Sequence, residues 1–276
     1  MMPFYMWRAE QQRTMSNPEQ QLHKAVRENN QTEVETLINQ GVSIDCLFYN
    51  WTPLILAVQQ GHDQLALWLI DKGCNIHYKD EKGESAFEEA VINNRLEVIK
   101  SLAQHGIDVN QNLISQQSAL CFAAEKDLRD MAKILINNKA DMFLCNKQGE
   151  TPLHISIRNG YGQMVKLLVD APQGPQLVDR AVADSSKLSP LMLAIINEEH
   201  NIAQVLIKAK CSLNAQDSDG WTALMHAVSH NSEDMVRLLL KSRADTRVCN
   251  NEGRTALQEA EENEEDEIID LLKNHR

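Results

Sequence analysis

The feature that most constrains this chain is a six-residue block that returns at a fixed interval. It reads Thr52-Pro53-Leu54-Ile55-Leu56-Ala57 at its first clear appearance. It begins again at Ser85, Ser118, Thr151, Ser189, Thr222 and Thr255, and successive starts are 33, 33, 33, 38, 33 and 33 residues apart. Seventeen residues after each start stands Leu69, Leu102, Leu135, Leu168, Leu206, Leu239 or Leu272. Thirteen residues after it stands Leu65, Val98, Met131, Met164, Ile202, Met235 or Ile268. The difference of four puts both columns on one face of a helix. A repeat of this length cannot bury its apolar surface alone, so neighbouring copies must cover one another.

Each copy carries its own punctuation. Five residues before most blocks sits Asp80, Asn146, Asp184, Asp217 or Asn250, a turn-forming side chain. Two residues before, Gly83, Gly149, Gly220 and Gly253 supply a position that can take positive φ. The small column Ala57, Ala90, Ala123, Ala194, Ala227 and Ala260, with Ser156 in the remaining copy, marks where first helices are expected to approach closely.

The block resembles the T-P-L-H-x-A signature of ankyrin repeats, and the period matches as well. A weaker first copy, Leu22-His23-Lys24-Ala25 with Val34 and Leu37, makes eight. Asn17 as N-cap and Pro18 at the first helical position start it. The resemblance implies an all-α fold, an ankyrin-repeat solenoid of stacked helix pairs with short β-hairpin loops. The expected repeats run over 17–48, 49–81, 82–114, 115–147, 148–185, 186–218, 219–251 and 252–276, after an N-terminal extension at 1–16. Phe4, Tyr5, Met6 and Trp7 in that extension are either a cover for the first repeat or a disordered arm. His62 and His154 stand where the family pattern itself favours histidine, which implies structural hydrogen bonding.

The pattern breaks in two places. Five extra residues fall near Ala171-Pro172-Gln173-Gly174-Pro175-Gln176 and read as a tolerated surface loop or a partner-contacting finger. Lys139, Lys210 and Arg243 stand where Gly73 and Gly106 end other second helices, which predicts modestly weakened ends.

Composition narrows function. Lys+Arg is 27 and Asp+Glu is 39, a formal charge of −12, which argues against binding nucleic acid through net charge. The chain contains no apolar run of about 18 residues, so no membrane span is expected. The apolar start Met1–Trp7 is too short for a secretory signal core, and a cytoplasmic location is expected. An effector secreted by a bacterium into a host cell would be the exception. The six cysteines have no CxxC pair and read as free, buried, small apolar residues. Phosphate-loop and GxSxG motifs are missing, and the carboxylates at 259–267 read as a solvated face, so neither an enzyme nor a cofactor is expected. His226, His230 and Asp234 are spaced by four, but a turn near Asn231 should separate them, so no metal site is expected.

Recognition of a protein remains. The positions that the repeat leaves variable should form the contact face. The residue before each block reads Trp51, Glu84, Gln117, Glu150, Leu188, Trp221 and Arg254. The variable residue inside it reads Leu56, Glu89, Phe122, Ile155, Leu193, His226 and Glu259. Phe48, Tyr49 and Tyr78 add aromatic groups at hairpins, and aromatic anchors bury much area at low entropic cost. The expected partner-binding set is therefore Phe48, Tyr49, Trp51, Tyr78, Glu84, Phe122, Glu150, Ile155, Leu188, Leu193, Trp221 and His226. The chain is expected to be a monomeric scaffold or adaptor whose protein partner has a basic or mixed surface. Regulation or inhibition of a single enzyme, and a bacterial effector role on host proteins, are the alternatives.

Overall fold

The computed structural model describes residues 17–275, so the expectations for residues 1–16 lie outside the described residues. The described chain divides between Val109 and Asn110 into two compact units. Seventeen helices and no strand are formed among the described residues. No helix there is long and apolar enough to cross a membrane.

The first compact unit holds α1 (Pro18–Arg27), α2 (Gln31–Asn39), α3 (Pro53–Gln60), α4 (Asp63–Asp71), α5 (Ala86–Ile92) and α6 (Leu96–Gln104). Within this unit first helices pack on their own second helices and on one another: α1 on α2 and α3, α3 on α4 and α5, and α5 on α6. The second helices α4 and α6 also pack together.

The second compact unit repeats this plan. It holds α7 (Ala119–Glu125), α8 (Arg129–Asn137), α9 (Pro152–Arg158), α10 (Gly162–Asp170), α11 (Gly174–Leu177), α12 (Pro190–Ile196) and α13 (His200–Lys208). It ends with α14 (Ala223–Ser229), α15 (Glu233–Lys241), α16 (Ala256–Glu262) and α17 (Asp266–Asn274). First helices α7, α9, α12, α14 and α16 form one packed row, and second helices α8, α10, α13, α15 and α17 form another.

The block explains where first helices start. The hydroxyl of Thr52, Ser85, Ser118, Ser189, Thr222 or Thr255 accepts the backbone N–H three residues on, satisfying an otherwise orphaned donor. Proline at the first helical position of α3, α9 and α12 has no N–H to leave unpaired. Behind the cap the alanine column is fully buried, as is Ser156, whose hydroxyl donates to the Pro152 carbonyl at 2.8 Å. The leucine column is equally buried, with Leu272 at 5% the most exposed of its members.

The hairpins are reduced to single antiparallel bridges, such as Lys79 with Ser85 and Cys249 with Thr255. The turn side chain organises each loop. Asp80 Oδ1 accepts from the backbone N–H of Lys82 and Glu84, and Asn146, Asp217 and Asn250 repeat this arrangement. Gly83 takes φ +87° and Gly149 φ +75°, as the turn requires. Gln116 and Lys187 fill the same place with φ +61° and +55°.

Two expectations are corrected. The insert is neither a loose loop nor a projecting finger. It forms α11, packed on α10, and buries Leu177 fully and Val178 to 2% exposure. All six cysteines are free, but Cys249 is exposed and Cys145 half-buried. For the four buried ones, burial pushes the thiol up, to about 11 at Cys46 and Cys121 and about 12 at Cys74 and Cys211.

Candidate functional site

Consider first what the histidines do. His62 Nε2 lies 3.0 Å from the Arg27 carbonyl, and His23 bridges the Glu19 and Trp51 carbonyls at 3.0 Å each. The Thr151 backbone N–H donates to His154 Nδ1 at 3.2 Å, so Nδ1 is an acceptor and the ring is neutral. Thr151 Oγ1 lies 2.8 Å from the same nitrogen. Burial pushes this imidazole down to about 4, partly offset by the Arg180 backbone. His23 and His62 thus tie neighbouring repeats together, whereas His154 closes its own block on Thr151. Helix α14 ends at Ser229, so His226, His230 and Asp234 do not share a helical face.

The hairpin exits and first helices make the variable face. In the first compact unit, Tyr49 and Asn50 form a two-residue turn with φ +53° and +64°, closed by paired Phe48–Trp51 backbone bonds of 3.1 and 3.2 Å. Leu47 is 47% exposed and Tyr49 57%. Phe48 lies between them and packs on His23 and edge-on to Tyr49. Trp51 and Tyr78 are half-buried, and the Tyr78 hydroxyl donates to the Asn50 carbonyl at 3.0 Å. Five apolar or aromatic side chains thus gather at two neighbouring hairpins. Glu84 is half-buried beside Glu89, whose carboxyl is raised by burial and by the Glu84 charge.

In the second compact unit the same columns carry different chemistry. Glu150 is 9% exposed and accepts both Arg158 Nε at 2.8 Å and Nη2 at 2.9 Å, a two-pronged ion pair. Gln117 donates to Glu125 at 3.3 Å, and Arg254 pairs with Glu262. In all three cases the residue before the block meets the residue seven places after its start. That column (Gln59, Ile92, Glu125, Arg158, Ile196, Ser229, Glu262) belongs to the face and was missed in the sequence. Its signal was present: it is variable and lies one helical turn beyond the variable residue inside the block. A groove of about 670 Å³ runs between Ser115, Gln117, Glu125, Glu150, Arg158 and Tyr161.

Phe122, Leu188, Leu193 and Trp221 are half-buried on this face. Ile155 is a correction. It is 1% exposed and packs with Cys121 and Ala124, because its position points between adjacent first helices here, so its side chain offers no contact surface. His226 lies 5.4 Å from the Trp221 ring and 2.8 Å from Asp217 Oδ2. Since a carboxylate only accepts, His226 Nε2 is the donor. Burial lowers this imidazole and the Asp217 hydrogen bond opposes the shift. Among the described residues no three His, Cys, Asp or Glu side chains are grouped as a metal would need.

Comparison with known proteins agrees with this architecture. A family model described as ankyrin repeats, in three copies, matches residues 22–113, 87–180, 120–217, 171–248 and 191–276. Similar proteins include potassium channel AKT2/3 of Arabidopsis thaliana, 29% identical over 149 residues, 54% of this chain and 18% of the channel. The B-cell lymphoma 3 protein homolog of Mus musculus is 30% identical over 141 residues, 49% of this chain and 32% of that protein. Rabankyrin-5 of Homo sapiens is 25% identical over 209 residues, 70% of this chain and 18% of that protein. The chain thus spans a third or less of the length of each.

Proposed function

This chain belongs to the ankyrin repeat family, and from that premise we propose that it is a protein-binding scaffold without catalytic activity of its own. The contact face is made of the hairpin exits and first helices. One observation carries the reading: three columns of this face change chemistry from repeat to repeat, while the columns behind them stay uniformly buried. A surface that varies on an invariant frame is what selective recognition needs. Tyr49, Trp51, Tyr78, Phe122, Leu188, Leu193 and Trp221 supply apolar anchors, with Phe48 supporting the first pair. Glu84 and His226 supply polar selection in their own repeats, whereas Glu150, buried and held by Arg158 and Asn146, is corrected from a partner contact to an internal ion pair.

The test is to capture the partner with the full chain from its native host and to map lysine cross-links. Lys79, Lys82, Lys147 and Lys187 lie on the hairpin side, whereas Lys100, Lys133, Lys166, Lys208 and Lys241 lie on second helices. The partner should cross-link to the hairpin lysines. Cross-links confined to the second-helix lysines would remove this reading.

A further inference from the structure

We infer that the sixth to eighth repeats form a docking strip for a short protein segment that is apolar at its centre and basic at one end. The inference deepens the proposed function and rests on it.

The strip is built from neighbouring positions. Helices α12, α14 and α16 pack side by side, and their hairpins are joined backbone to backbone: Ser218 N–H donates to the Ser186 carbonyl at 3.0 Å, and Asn251 N–H to the Asp219 carbonyl at 3.0 Å. The three face columns therefore run on from one repeat to the next. In the sixth repeat all three positions are aliphatic: Leu188, Leu193 and Ile196. None is fully buried, so each keeps surface to offer. In the seventh, Trp221 adds a half-buried ring whose position is fixed by its contact with His226 and by its backbone N–H donating to Asp217 at 2.8 Å. Four partly exposed apolar side chains thus occupy face positions of two adjacent repeats, and a pre-positioned ring loses little freedom when a partner covers it.

The flanks choose the occupant. On one side Glu150 and Arg158 neutralise each other. On the other, Arg254 is met by three carboxylates, Glu252, Glu259 and Glu262. One guanidinium leaves two formal negative charges in excess there. The nearby Arg247 is committed to Asp245. A segment carrying Lys or Arg at that end complements the excess, whereas an acidic segment meets repulsion. The asymmetry also sets direction, with the basic end over the eighth repeat.

The experiment uses the full chain and a phage-displayed library of random 16-residue peptides. Enriched peptides are then synthesised with a fluorescent label and titrated by polarisation. The expected consensus is two or three apolar residues next to Lys or Arg. Trp221→Ala and Ile196→Ser should each weaken binding about tenfold or more, at the level of an interface hot spot. Glu252→Gln with Glu262→Gln should weaken it severalfold and flatten its salt dependence. Both glutamates are exposed, so that variant keeps the test valid if Trp221→Ala fails to fold. Peptides enriched with acidic ends, or no enrichment, would overturn the inference. Peptides that lose affinity with Trp51→Ala but not with Trp221→Ala, Ile196→Ser or the glutamine pair would overturn it too, yet leave the proposed function standing.

Discussion

A buried neutral histidine makes folding sensitive to acid. His154 titrates near 4 when folded, against an ordinary value of 6.5. The folded state therefore binds fewer protons than the unfolded chain between these values. The stability it contributes is fully present above about pH 6.5 and drains away as pH falls towards 4. The shift corresponds to about 3 kcal/mol at most. Urea midpoints measured from pH 7.5 to 4.5 should fall more steeply for the native chain than for His154→Gln. Parallel curves would show that His154 carries no such linkage. A second residue-scale effect sits at the helix ends. Lys210 and Arg243 adopt φ +63° and +69°, and their N–H groups close the same turn that Gly73 closes. An L-residue pays for that conformation where glycine does not. Lys210→Gly and Arg243→Gly should each stabilise the chain by about 0.5–1 kcal/mol. Urea midpoints that stay level or drop would show that the basic side chains compensate fully.

Elements divide into those that the repeat dictates and those that tertiary packing decides. Caps, first helices and buried columns were legible because each is written by a residue type at a fixed offset: a hydroxyl, a proline, an alanine, a leucine. The insert was not legible. Ala171-Pro172-Gln173-Gly174-Pro175-Gln176 reads as loop by local chemistry, yet Leu177 and Val178 just beyond it are drawn into the core and turn the segment into α11. Gly174 permits this, since a Cβ there would lie 2.0 Å from the Val169 carbonyl oxygen. Gly174→Ala should therefore destabilise the chain, and Leu177→Ala should cost about 2–5 kcal/mol as a core truncation. Denaturation of both variants tests this directly. Losses below about 0.5 kcal/mol, normal for surface positions, would restore the loop reading. Ile155 shows the opposite limit: its column is variable in sequence, but Ile155 is buried among Cys121 and Ala124 where Leu193 and His226 keep part of their surface outside.

At the scale of the whole chain, charge decides how a partner arrives and apolar contact decides how long it stays. The formal charge of −12 was readable from composition, and one place where acidic groups are in excess is around Arg254. What composition could not give was placement: which carboxylates are already satisfied, as Glu150 is by Arg158, and which are shared too thinly. A basic or mixed partner should be steered towards this field, and the steering weakens as the Debye length shrinks from about 30 Å at 0.01 M salt to about 8 Å at 0.15 M. The association rate should therefore fall about tenfold or more over that range, while the dissociation rate changes little. The double variant Trp51→Ala with Trp221→Ala should do the reverse, speeding dissociation at every salt concentration without unfolding the chain. Stopped-flow association and surface-based dissociation on the same pair separate the two effects. An association rate indifferent to salt would remove the electrostatic part, and unchanged dissociation in the double variant would remove the aromatic anchors.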